Sequence, residues 1–487
     1  KGVMVSHTNL IHNIKYNNLC GQRRYRALQK NTEISFYDIR ALNWVPQYHD
    51  MGLIAAYLQI LYMGGRGHFM SPFSFLRSPS VWLHSAWRYN CNSSSAPNFA
   101  FDLVVRKWHN RPVPDGFSLK ELDLIGSGGE ENQRETFEKF EKYFAKYGLR
   151  KNIIMSFYGM AEHTLTINAD HCHPERCYSK RDPRRVCCGV FDSETRAQVR
   201  CRIVDPDTCQ VVGDGQEGEI WLQSRSVALG YWRNQDKTRK VFKGIIASSP
   251  GIFDSKEKEN GGCWLRTGDI GYMEADRLYF VSRKKDLIII RGRNYSPRDL
   301  ESSVDTVPGV RPGCTVVFSV SKNGSEHAVV VSEIRSKSEL KKLDLGFQEI
   351  ASNIKLAITL ASGVNISDVV LIKSKSIPKT SSGKLRRSET KRLYSSKTLK
   401  YKFWLSKGTS GSRTEDQDFD SEVRLLDDGQ EDYFGKVKGP TTFEKALAKA
   451  IGPEFKWKEM GNNEFGSIID SIKLVEISGG LRHTFGI

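Results

Sequence analysis

Two hydrophobic stretches of the chain run directly into glycine-containing turns, and this feature constrains the fold more than any other. The first, residues 122–130, ends with Gly128 and Gly129 before Glu130, and the second, residues 152–162, contains Gly159. A strand that ends in a glycine turn ahead of a helix lets the backbone approach a phosphate or a flat ring closely. Two such strand–turn–helix units predict an α/β domain whose functional site lies at the carboxyl ends of the strands.

Composition and charge exclude several classes of protein. With 487 residues, the chain has room for about three domains. No apolar run approaches the ~18 residues that cross a bilayer, so we expect no transmembrane segment. The net charge of +17 would permit binding to polyanions. However, the basic residues are spread along the chain without a motif that reads nucleic acid, so we expect no nucleic-acid partner.

A cluster of charged residues separates two strand-like segments late in the chain. Asp269 follows a Thr-Gly pair and is predicted to lie on a short turn, and residues 277–281 have the composition of a strand. Residues 283–286 are charged and precede an apolar run, residues 287–290, for which we predict a buried strand. Charged groups at the start of a buried strand are typical of a cleft edge, so we predict a domain boundary between residues 281 and 282.

The remaining sequence predicts further units. Short strands with Asp-Pro and glycine turns in residues 199–222 predict an antiparallel β subdomain, and residues 287–404 have the pattern of a compact α+β unit. Residues 405–430 are rich in glycine, serine and acidic residues, which predicts a linker before two further helices. The predicted domains are residues 1–281, 282–404, 405–430 and 431–487.

Several polar residues occupy places where chemistry is expected, and each also has an ordinary structural explanation. Lys1 precedes a predicted helix, whose free N–H groups favour anions, or it is simply a terminus. His49 and Asp50 lie at a strand-to-helix junction, either as cleft residues or with Asp50 capping the helix. Lys384, in a Ser-Ser-Gly-Lys loop, is either a mobile electrophilic group or part of a basic surface turn.

The second glycine turn and the C-terminal segment carry similar candidates. Tyr158 offers a stacking face, and Glu162 offers a hard oxygen ligand for Mg²⁺. Phe99 and Phe101 suit either an apolar pocket or plain core. Ser471 follows an aspartate at a predicted helix start, where a capping serine is common.

The ten cysteines do not form a disulfide framework in a chain of this length. One group of histidines and cysteines raises a zinc hypothesis, although it lacks the paired C-x-x-C spacing of structural zinc sites. Its members are His171, Cys172, His173, Cys177, Cys187 and Cys188. We expect free reduced thiols and keep the zinc site as the alternative.

Taken in this order, the motifs resemble those of the adenylate-forming superfamily, and most closely those of its fatty acyl-AMP ligase branch. The stretches similar to that branch are residues 44–53, 70–72 and 95–100, and the stretches that match core motifs of the superfamily are residues 158–162, 266–269, 291–294 and 382–384. The resemblance implies an α/β fold. A large adenylating domain with a β subdomain, truncated at its N-terminus, would precede a small α+β C-terminal subdomain and a partial helical carrier domain.

The resemblance also implies ATP- and Mg²⁺-dependent conversion of a fatty acid to acyl-AMP with release of pyrophosphate. Tyr158 and the Gly128–Gly129 turn would hold adenine, Asp269 would bind the ribose, and Lys384 would reach the carboxylate and the α-phosphate. The implied site residues are Lys384, Glu162 and His49 for catalysis, with Glu162 as the Mg²⁺ ligand; Lys1, Gly128, Gly129, Glu130, Tyr158, Gly159, Met160, Asp269 and Arg283 for the nucleotide; Lys285 as the hinge; and Trp44, His49, Phe99 and Phe101 around the acyl chain.

The C-terminal segment resembles an acyl or peptidyl carrier domain, with Ser471 at the attachment position for 4′-phosphopantetheine and Ile472 where leucine is usual. This implies transfer of the acyl group to a carrier, in cis or on a downstream synthase module. Residues 168–190 occupy the place of an insertion that blocks the use of CoA in this branch. An acyl-CoA synthetase and a non-catalytic scaffold that binds acyl groups or nucleotides are the alternatives. We expect the chain to be a fragment of a cytoplasmic or organellar protein that is inactive or poorly folded by itself.

Overall fold

The computed structural model describes residues 2–28, 39–170, 178–247, 262–290, 293–322, 325–380 and 383–406. Several predictions fall outside these residues: Lys1, the linker, the carrier segment with Ser471, and four members of the proposed zinc group (His171, Cys172, His173 and Cys177). Among the described residues, none of the helices combines the length and the apolar character needed to span a bilayer.

Helices and strands alternate along the first part of the chain, and runs of consecutive strands occur later. The strands are β1 (Val3–Met4), β2 (Arg40–Asn43), β3 (Arg66–Phe69), β4 (Ser93–Ala96), β5 (Leu124–Ser127), β6 (Ile154–Gly159), β7 (Thr166–Ala169), β8 (Gly189–Val190), β9 (Val199–Val204), β10 (Gly218–Ser224), β11 (Gly230–Tyr231), β12 (Leu265–Glu274), β13 (Arg277–Arg283), β14 (Ile288–Ile290), β15 (Arg293–Tyr295), β16 (Val310–Lys322), β17 (Ser325–Ile334), β18 (Ile366–Ile372) and β19 (Phe403–Ser406). The α-helices are α1 (His7–Leu28), α2 (Gln59–Met63), α3 (Pro72–Arg77), α4 (Ser80–Arg88), α5 (Asn98–Lys107), α6 (Arg134–Phe144), α7 (Ser193–Gln198), α8 (Gln235–Phe242), α9 (Pro297–Val304), α10 (Lys337–Leu343), α11 (Phe347–Ser362) and α12 (Arg387–Ser395). A π-helical segment, Met51–Leu58, precedes α2, and 3₁₀ turns occur at Trp108–Asn110, Ala145–Tyr147 and Ala161–His163.

The main sheet has the strand order β3-β2-β4-β5-β6-β7. Neighbours from β3 to β6 are parallel, with Ser95 opposite Gly126 and Gly126 opposite Met155. Parallel neighbours need long crossover connections, and helices supply them here. These helices bury a core rich in aromatic residues that includes Trp82, Phe101 and Phe137. The predicted α/β class is therefore confirmed, and the carboxyl ends of β4, β5 and β6 share one edge of the sheet.

The two predicted strand–turn–helix units have different outcomes. The first is confirmed, because β5 ends at Ser127 and α6 follows the glycine turn. The second is wrong in its last part, because β6 leads only into the short 3₁₀ turn Ala161–His163 and then into β7. β7 pairs with β6 in the antiparallel direction, with Tyr158 opposite Asn168. The chain reverses at this edge strand, so no crossover helix is needed.

A five-stranded antiparallel sheet, ordered β8-β13-β12-β10-β9, follows the main sheet. It confirms the predicted antiparallel β subdomain. Asp269 lies within the continuous strand β12 and not on a turn, so that prediction is wrong. The Thr-Gly pair is accommodated in the strand because Gly268 has a positive φ of 72° and the β12–β13 register shifts between Ile270 and Gly271. This irregularity lies next to Asp269, which faces Arg283 of β13 in the register.

The last described elements form the sheet β16-β17-β18-β19. Helices α9 and α11 contact each other and this sheet, and their apolar faces meet at residues such as Ile350, Ile354 and Val330. The strands predicted near residues 314–319 and 327–333 pair with each other as β16 and β17, and the predicted α+β character is confirmed. The buried strand predicted for residues 287–290 is not. Ile288 is buried but Ile289 is 49% exposed, because β14 belongs to a two-stranded hairpin that exposes one face.

Candidate active site

A cavity of about 780 Å³ lies at the carboxyl ends of β4, β5 and β6. Its walls come from these strand ends, from helix α1, from the π-helical segment and α2, and from the loop that carries Lys384. The cavity brings together predicted site residues that are far apart in the sequence. Those that line it are His49, Gly128, Gly129, Tyr158, Gly159, Met160, Glu162, Arg283 and Lys384.

Lys384 reaches the cavity from a tight loop. The loop is closed by a hydrogen bond from the N–H of Thr380 to the carbonyl of Lys384 (2.8 Å) and one from the N–H of Gly383 to the carbonyl of Thr380 (2.8 Å). Gly383 has a φ of 87°, a conformation that favours glycine. The Lys384 ammonium donates a 2.8 Å hydrogen bond to the carbonyl of Gly129. The loop thus holds a cation directly on the glycine turn after β5.

Burial lowers the pKa of Lys384, while the nearby carboxylates of Glu130 and Asp50 act in the opposite direction. Glu130 itself does not line the cavity, although its predicted role was nucleotide binding. Its carboxylate accepts a 2.7 Å hydrogen bond from the backbone N–H of Phe99, at the start of α5. Glu130 therefore ties the glycine turn to α5 and contributes negative charge near Lys384.

Tyr158 and Arg283 line the cavity, and both contact Asp269, which does not line it itself. The Tyr158 hydroxyl donates a 2.9 Å hydrogen bond to Oδ2 of Asp269, and Nε of Arg283 lies 3.5 Å from Oδ1. Asp269 is only 4% exposed. This burial raises the pKa of Asp269 to about 6, although Arg283 and the Tyr158 hydroxyl counteract the rise. Above that pH the group is a carboxylate with two acceptor oxygens, which suits a pair of hydroxyl donors.

Glu162 lies in the 3₁₀ turn after β6 and lines the cavity. Its Oε1 accepts a 2.6 Å hydrogen bond from the hydroxyl of Tyr231 on β11, and burial together with Glu162 raises the pKa of that tyrosine. Among the described residues, no group of three or more His, Cys, Asp or Glu side chains could hold a metal by itself. A single oriented carboxylate still fits Mg²⁺, which commonly binds one or two carboxylates together with substrate phosphates.

His49 and Asp50 satisfy both explanations that the sequence left open. The Asp50 side chain accepts a 2.8 Å hydrogen bond from the N–H of Met51 and so caps the π-helical segment. Its carboxylate also lies 2.6 Å from Nδ1 of His49. Both residues line the cavity, and the His49 side chain is 37% exposed. The pair is therefore a helix cap that presents an imidazole to the cavity.

The aromatic residues predicted around the acyl chain do not line the cavity. Trp44 stacks on Phe75 with ring centroids 3.8 Å apart, and both belong to the core beneath the sheet together with Phe101. Phe99 packs against the same core. The apolar part of the lining is mostly aliphatic instead, and it includes Ile39, Ala41, Ala55, Ile60, Met63 and Leu124. Wide aromatic rings pack between the helices and the sheet, whereas smaller side chains leave the space open.

The sequence did not lead us to predict two features of the structure at and near this site. The first is a row of amides, Asn17, Asn18 and Gln22 on α1 with Gln59 on α2, that lines the cavity beside the aliphatic residues. The recurrence of asparagine at positions 9, 13 and 17 of the chain, at helical spacing, was an available signal. The second is a buried ionic cluster around Arg185.

Arg185 forms ion pairs with residues on both sides of the predicted domain boundary between residues 281 and 282. Its guanidinium pairs with Glu131, with Asp299 on α9 at 2.6 Å and with Asp182 at 3.4 Å, and its side chain is 7% exposed. Burial raises the pKa of Glu131 to about 7, and Arg185 opposes that rise. Lys285, the predicted hinge residue, is exposed in the turn between β13 and β14. Cys187 and Cys188 are buried thiols whose sulfur atoms contact backbone carbonyls.

The sequence of the chain is similar to those of known enzymes. A family model described as "AMP-binding enzyme" matches residues 1–232. The putative fatty-acid–CoA ligase FadD21 of Mycobacterium tuberculosis is 35% identical over 412 residues, which cover 80% of this chain and 66% of the relative. The putative fatty-acid–CoA ligase fadD25 of the same species is 32% identical over 417 residues, covering 81% and 67%.

A third relative carries a different description. JamA of Moorena producens, a medium-chain-fatty-acid–[acyl-carrier-protein] ligase, is 33% identical over 407 residues, covering 80% of this chain and 64% of the relative. Among solved structures, one from a study of fatty acyl-adenylate ligases from E. coli and L. pneumophila has a TM-score of 0.65 at 23% identity, covering 81% of this chain and 67% of that one. This likeness shows a shared fold. The chain spans about two thirds of the length of the relatives that it matches.

Proposed function

The chain belongs to the family of AMP-binding enzymes, and from this premise we propose that it takes part in the ATP-dependent activation of a fatty acid to acyl-AMP with release of pyrophosphate. The observation that carries the proposal is the shared cavity. The cavity is lined by Glu162, by Lys384 on a separate loop, and by aliphatic side chains in an extension between α1 and the main sheet. The buried carboxylate of Asp269 lies beside the cavity and accepts a hydrogen bond from Tyr158, which lines it.

The nucleotide would occupy the part of the cavity between the glycine turn after β5 and Tyr158. The Gly128–Gly129 backbone permits close approach of a flat base, since neither residue carries a side chain. The Asp269 carboxylate would accept hydrogen bonds from the two ribose hydroxyls, and Arg283 would add a contact to the ribose or a phosphate. Glu162 would hold Mg²⁺ against the phosphate oxygens.

The carboxylate of the acid would meet the α-phosphate near Lys384. As a carboxylate oxygen bonds to the α-phosphorus and pyrophosphate leaves, negative charge develops on the α-phosphate oxygens and on the leaving group, and the Lys384 ammonium would stabilise that charge. His49 also lines the cavity. The acyl chain would then extend along α1, where Ala41, Ile60 and Met63 provide an aliphatic wall.

The acyl acceptor is the finer part of the proposal. We infer that a phosphopantetheine arm accepts the acyl group, either on Ser471 of this chain or on a downstream carrier. The description of JamA as an acyl-carrier-protein ligase favours a carrier. The names of FadD21 and fadD25 favour coenzyme A as the second candidate acceptor. Lys285 lies in an exposed turn, where a change of backbone angles would reorient the elements that follow it between the two half-reactions.

The test is carboxylate-dependent exchange of pyrophosphate into ATP by the full-length protein, measured with a series of fatty acids. Exchange that requires both a fatty acid and Mg²⁺ is expected. Absence of exchange with every fatty acid would favour a non-catalytic scaffold and overturn the proposal. A second assay then presents coenzyme A and a phosphopantetheinylated carrier in turn to the enzyme. Acyl-carrier formation is expected, and formation of acyl-CoA alone would identify an acyl-CoA synthetase.

A further inference from the structure

Between α1 and the main sheet, the cavity has an extension that is lined in part by aliphatic side chains. At one end, Asn17 of α1 accepts a 3.0 Å hydrogen bond from the hydroxyl of Thr166, and Thr166 pairs with Gly159 at the carboxyl end of β6. At the other end, the lining reaches Gln22 on α1 and Ile39, which precedes β2. The α1 residues that line the cavity run from Asn17 to Gln22, which corresponds to about 7.5 Å of helix. The wall that α1 provides is thus long enough to follow an extended chain of several carbons.

The α1 side of this extension is polar, which an unmodified alkyl chain does not require. Asn13 and Asn17 are satisfied by the protein, because Asn17 accepts a 3.0 Å hydrogen bond from the Thr166 hydroxyl and donates one to Gln59. The remaining donor contact of the Gln59 amide is a weak one, 3.8 Å to the sulfur of Met63. The hydrogen bonds of these amides therefore hold α1 against β7 and α2.

Asn18 differs from the other amides on this helix. Its side chain is only 9% exposed and lines the cavity, yet no other described residue forms a hydrogen bond with it. A buried amide without a partner is unfavourable, and the great majority of buried polar side chains find one. Water can satisfy Asn18 when no acid is bound. An alkyl chain that displaces this water leaves the amide unpaired, whereas a chain that carries a hydroxyl replaces the water with an equivalent partner.

We propose that Asn18 selects a fatty acid that carries a hydroxyl group on its chain, several carbons from the carboxylate. A hydroxyl donates one hydrogen bond and accepts others, so it can use both the amide oxygen and the amide nitrogen of Asn18. Gln22, one turn further along the same face of α1, also lines the cavity. The proposal rests on the proposed fatty-acid activation and names the substrate class of that same site.

The experiment compares positional isomers of a monohydroxylated fatty acid with the plain acid of the same length, as kcat/KM for pyrophosphate exchange by the full-length protein. At least one isomer with the hydroxyl beyond the first few carbons is expected to exceed the plain acid by about tenfold, because a site built around a hydrogen bond discriminates strongly against an analogue that lacks it. Asn18→Leu, which has a similar size, is expected to reduce this ratio to less than about twofold. Met63→Leu, a nearly volume-conserving change on the aliphatic wall, should leave the ratio unchanged.

The possible outcomes distinguish a failure of the role proposed for Asn18 from a failure of the proposed fatty-acid activation. If the wild-type protein activates plain acids and disfavours every hydroxylated isomer, fatty-acid activation stands and the role of Asn18 is refuted. An Asn18→Leu variant that keeps the wild-type ratio refutes it as well. If no acid supports exchange, the proposed function itself fails. The wild-type comparison does not depend on the folding of any variant.

Discussion

The side-chain ammonium of Lys384 donates a 2.8 Å hydrogen bond to the carbonyl oxygen of Gly129, a residue 255 positions earlier in the chain. The bond joins the loop after β18 to the turn after β5. Gly129 has a φ of 80°, a backbone conformation that favours glycine, and a Cβ added there would lie 3.0 Å from the lysine Nζ. The contact places the positive charge of Lys384 at the wall of the cavity.

Replacement of Lys384 by alanine should abolish most of the adenylation activity. The ammonium is the group best placed to stabilise charge on the carboxylate and the α-phosphate, and loss of one such donor costs on the order of 100-fold or more in kcat. Pyrophosphate exchange measures the effect. Lys391→Ala, the same change at an exposed position of α12, should retain wild-type exchange. Equal activities of the two variants would remove Lys384 from the chemistry.

Asp269→Asn should weaken nucleotide binding and stabilise the protein at pH 7.5. Burial raises the pKa of Asp269 from 3.8 to about 6, so the folded state binds more protons than the unfolded state between these values, and stability falls as the pH rises through that window. A neutral amide removes the penalty, which amounts to about 1–3 kcal/mol. Thermal denaturation at pH 7.5 and 4 tests the sign, and a variant that is less stable than the wild type at pH 7.5 would contradict it.

The raised pKa of Asp269 also predicts how the use of ATP depends on pH on the acidic side. Ribose hydroxyls donate to an ionised carboxylate, so the KM for ATP should rise as the pH falls below about 6. Tyr158→Phe removes a hydroxyl that lowers the pKa of Asp269, and the limb should therefore move to higher pH. KM values for ATP between pH 5 and 8 check this, and an unchanged limb in Tyr158→Phe would count against the pairing.

Local patterns in the sequence predicted the elements that position the site. A hydrophobic strand followed by two glycines specified β5 and its turn, and the order of motifs indicated the family, which the comparisons confirm. The prediction for Asp269 was wrong because Thr-Gly-Asp has the composition of a turn, whereas pairing of β12 with β10 and β13 imposes a strand. Tertiary pairing outweighed local preference at this position.

Contacts between distant residues could not be predicted from local patterns. Glu131, Arg185 and Asp299 are separated by 54 and 114 positions, and each alone has the character of a surface charge. The residues predicted around the acyl chain show the same limit of local patterns. Hydrophobic character indicates that Trp44 and Phe101 are buried, but only the packing of the helices decides whether they face the core or the cavity.

Arg185→Ala should destabilise the protein far more than the same change at its neighbour Arg184. Removal of Arg185 leaves Glu131 and Asp299 without their main cation in a largely buried cluster, at a cost of roughly 2–4 kcal/mol. Arg184 has a side chain that is 65% exposed, so its loss should cost about 1 kcal/mol or less. Urea denaturation of the two variants measures the difference, and similar midpoints would show that the cluster carries little stability.

Glu162→Gln should raise the Mg²⁺ concentration that supports half-maximal exchange by at least about tenfold, since the carboxylate is the proposed protein ligand. Tyr231→Phe provides a graded test, because its hydroxyl orients Glu162 through a 2.6 Å hydrogen bond. Loss of an orienting partner commonly costs 10–100-fold in metal affinity. Mg²⁺ titrations of pyrophosphate exchange measure both effects. If neither variant changes the Mg²⁺ requirement, the metal is held elsewhere.

Gly21 should set the length of acid that the cavity admits. This residue lies inside α1 and lines the cavity, and a Cβ added there would meet nothing within 4 Å. Glycine inside a helix costs about 0.5–1 kcal/mol relative to alanine, so Gly21→Ala should stabilise the protein by about that amount. Gly21→Leu fills part of the extension and should lower kcat/KM for long acids by about tenfold or more, with little effect on short ones. Lys15→Leu, on an exposed face of the same helix, should alter neither. A uniform loss across all chain lengths in Gly21→Leu would show that the acyl chain does not pass along α1.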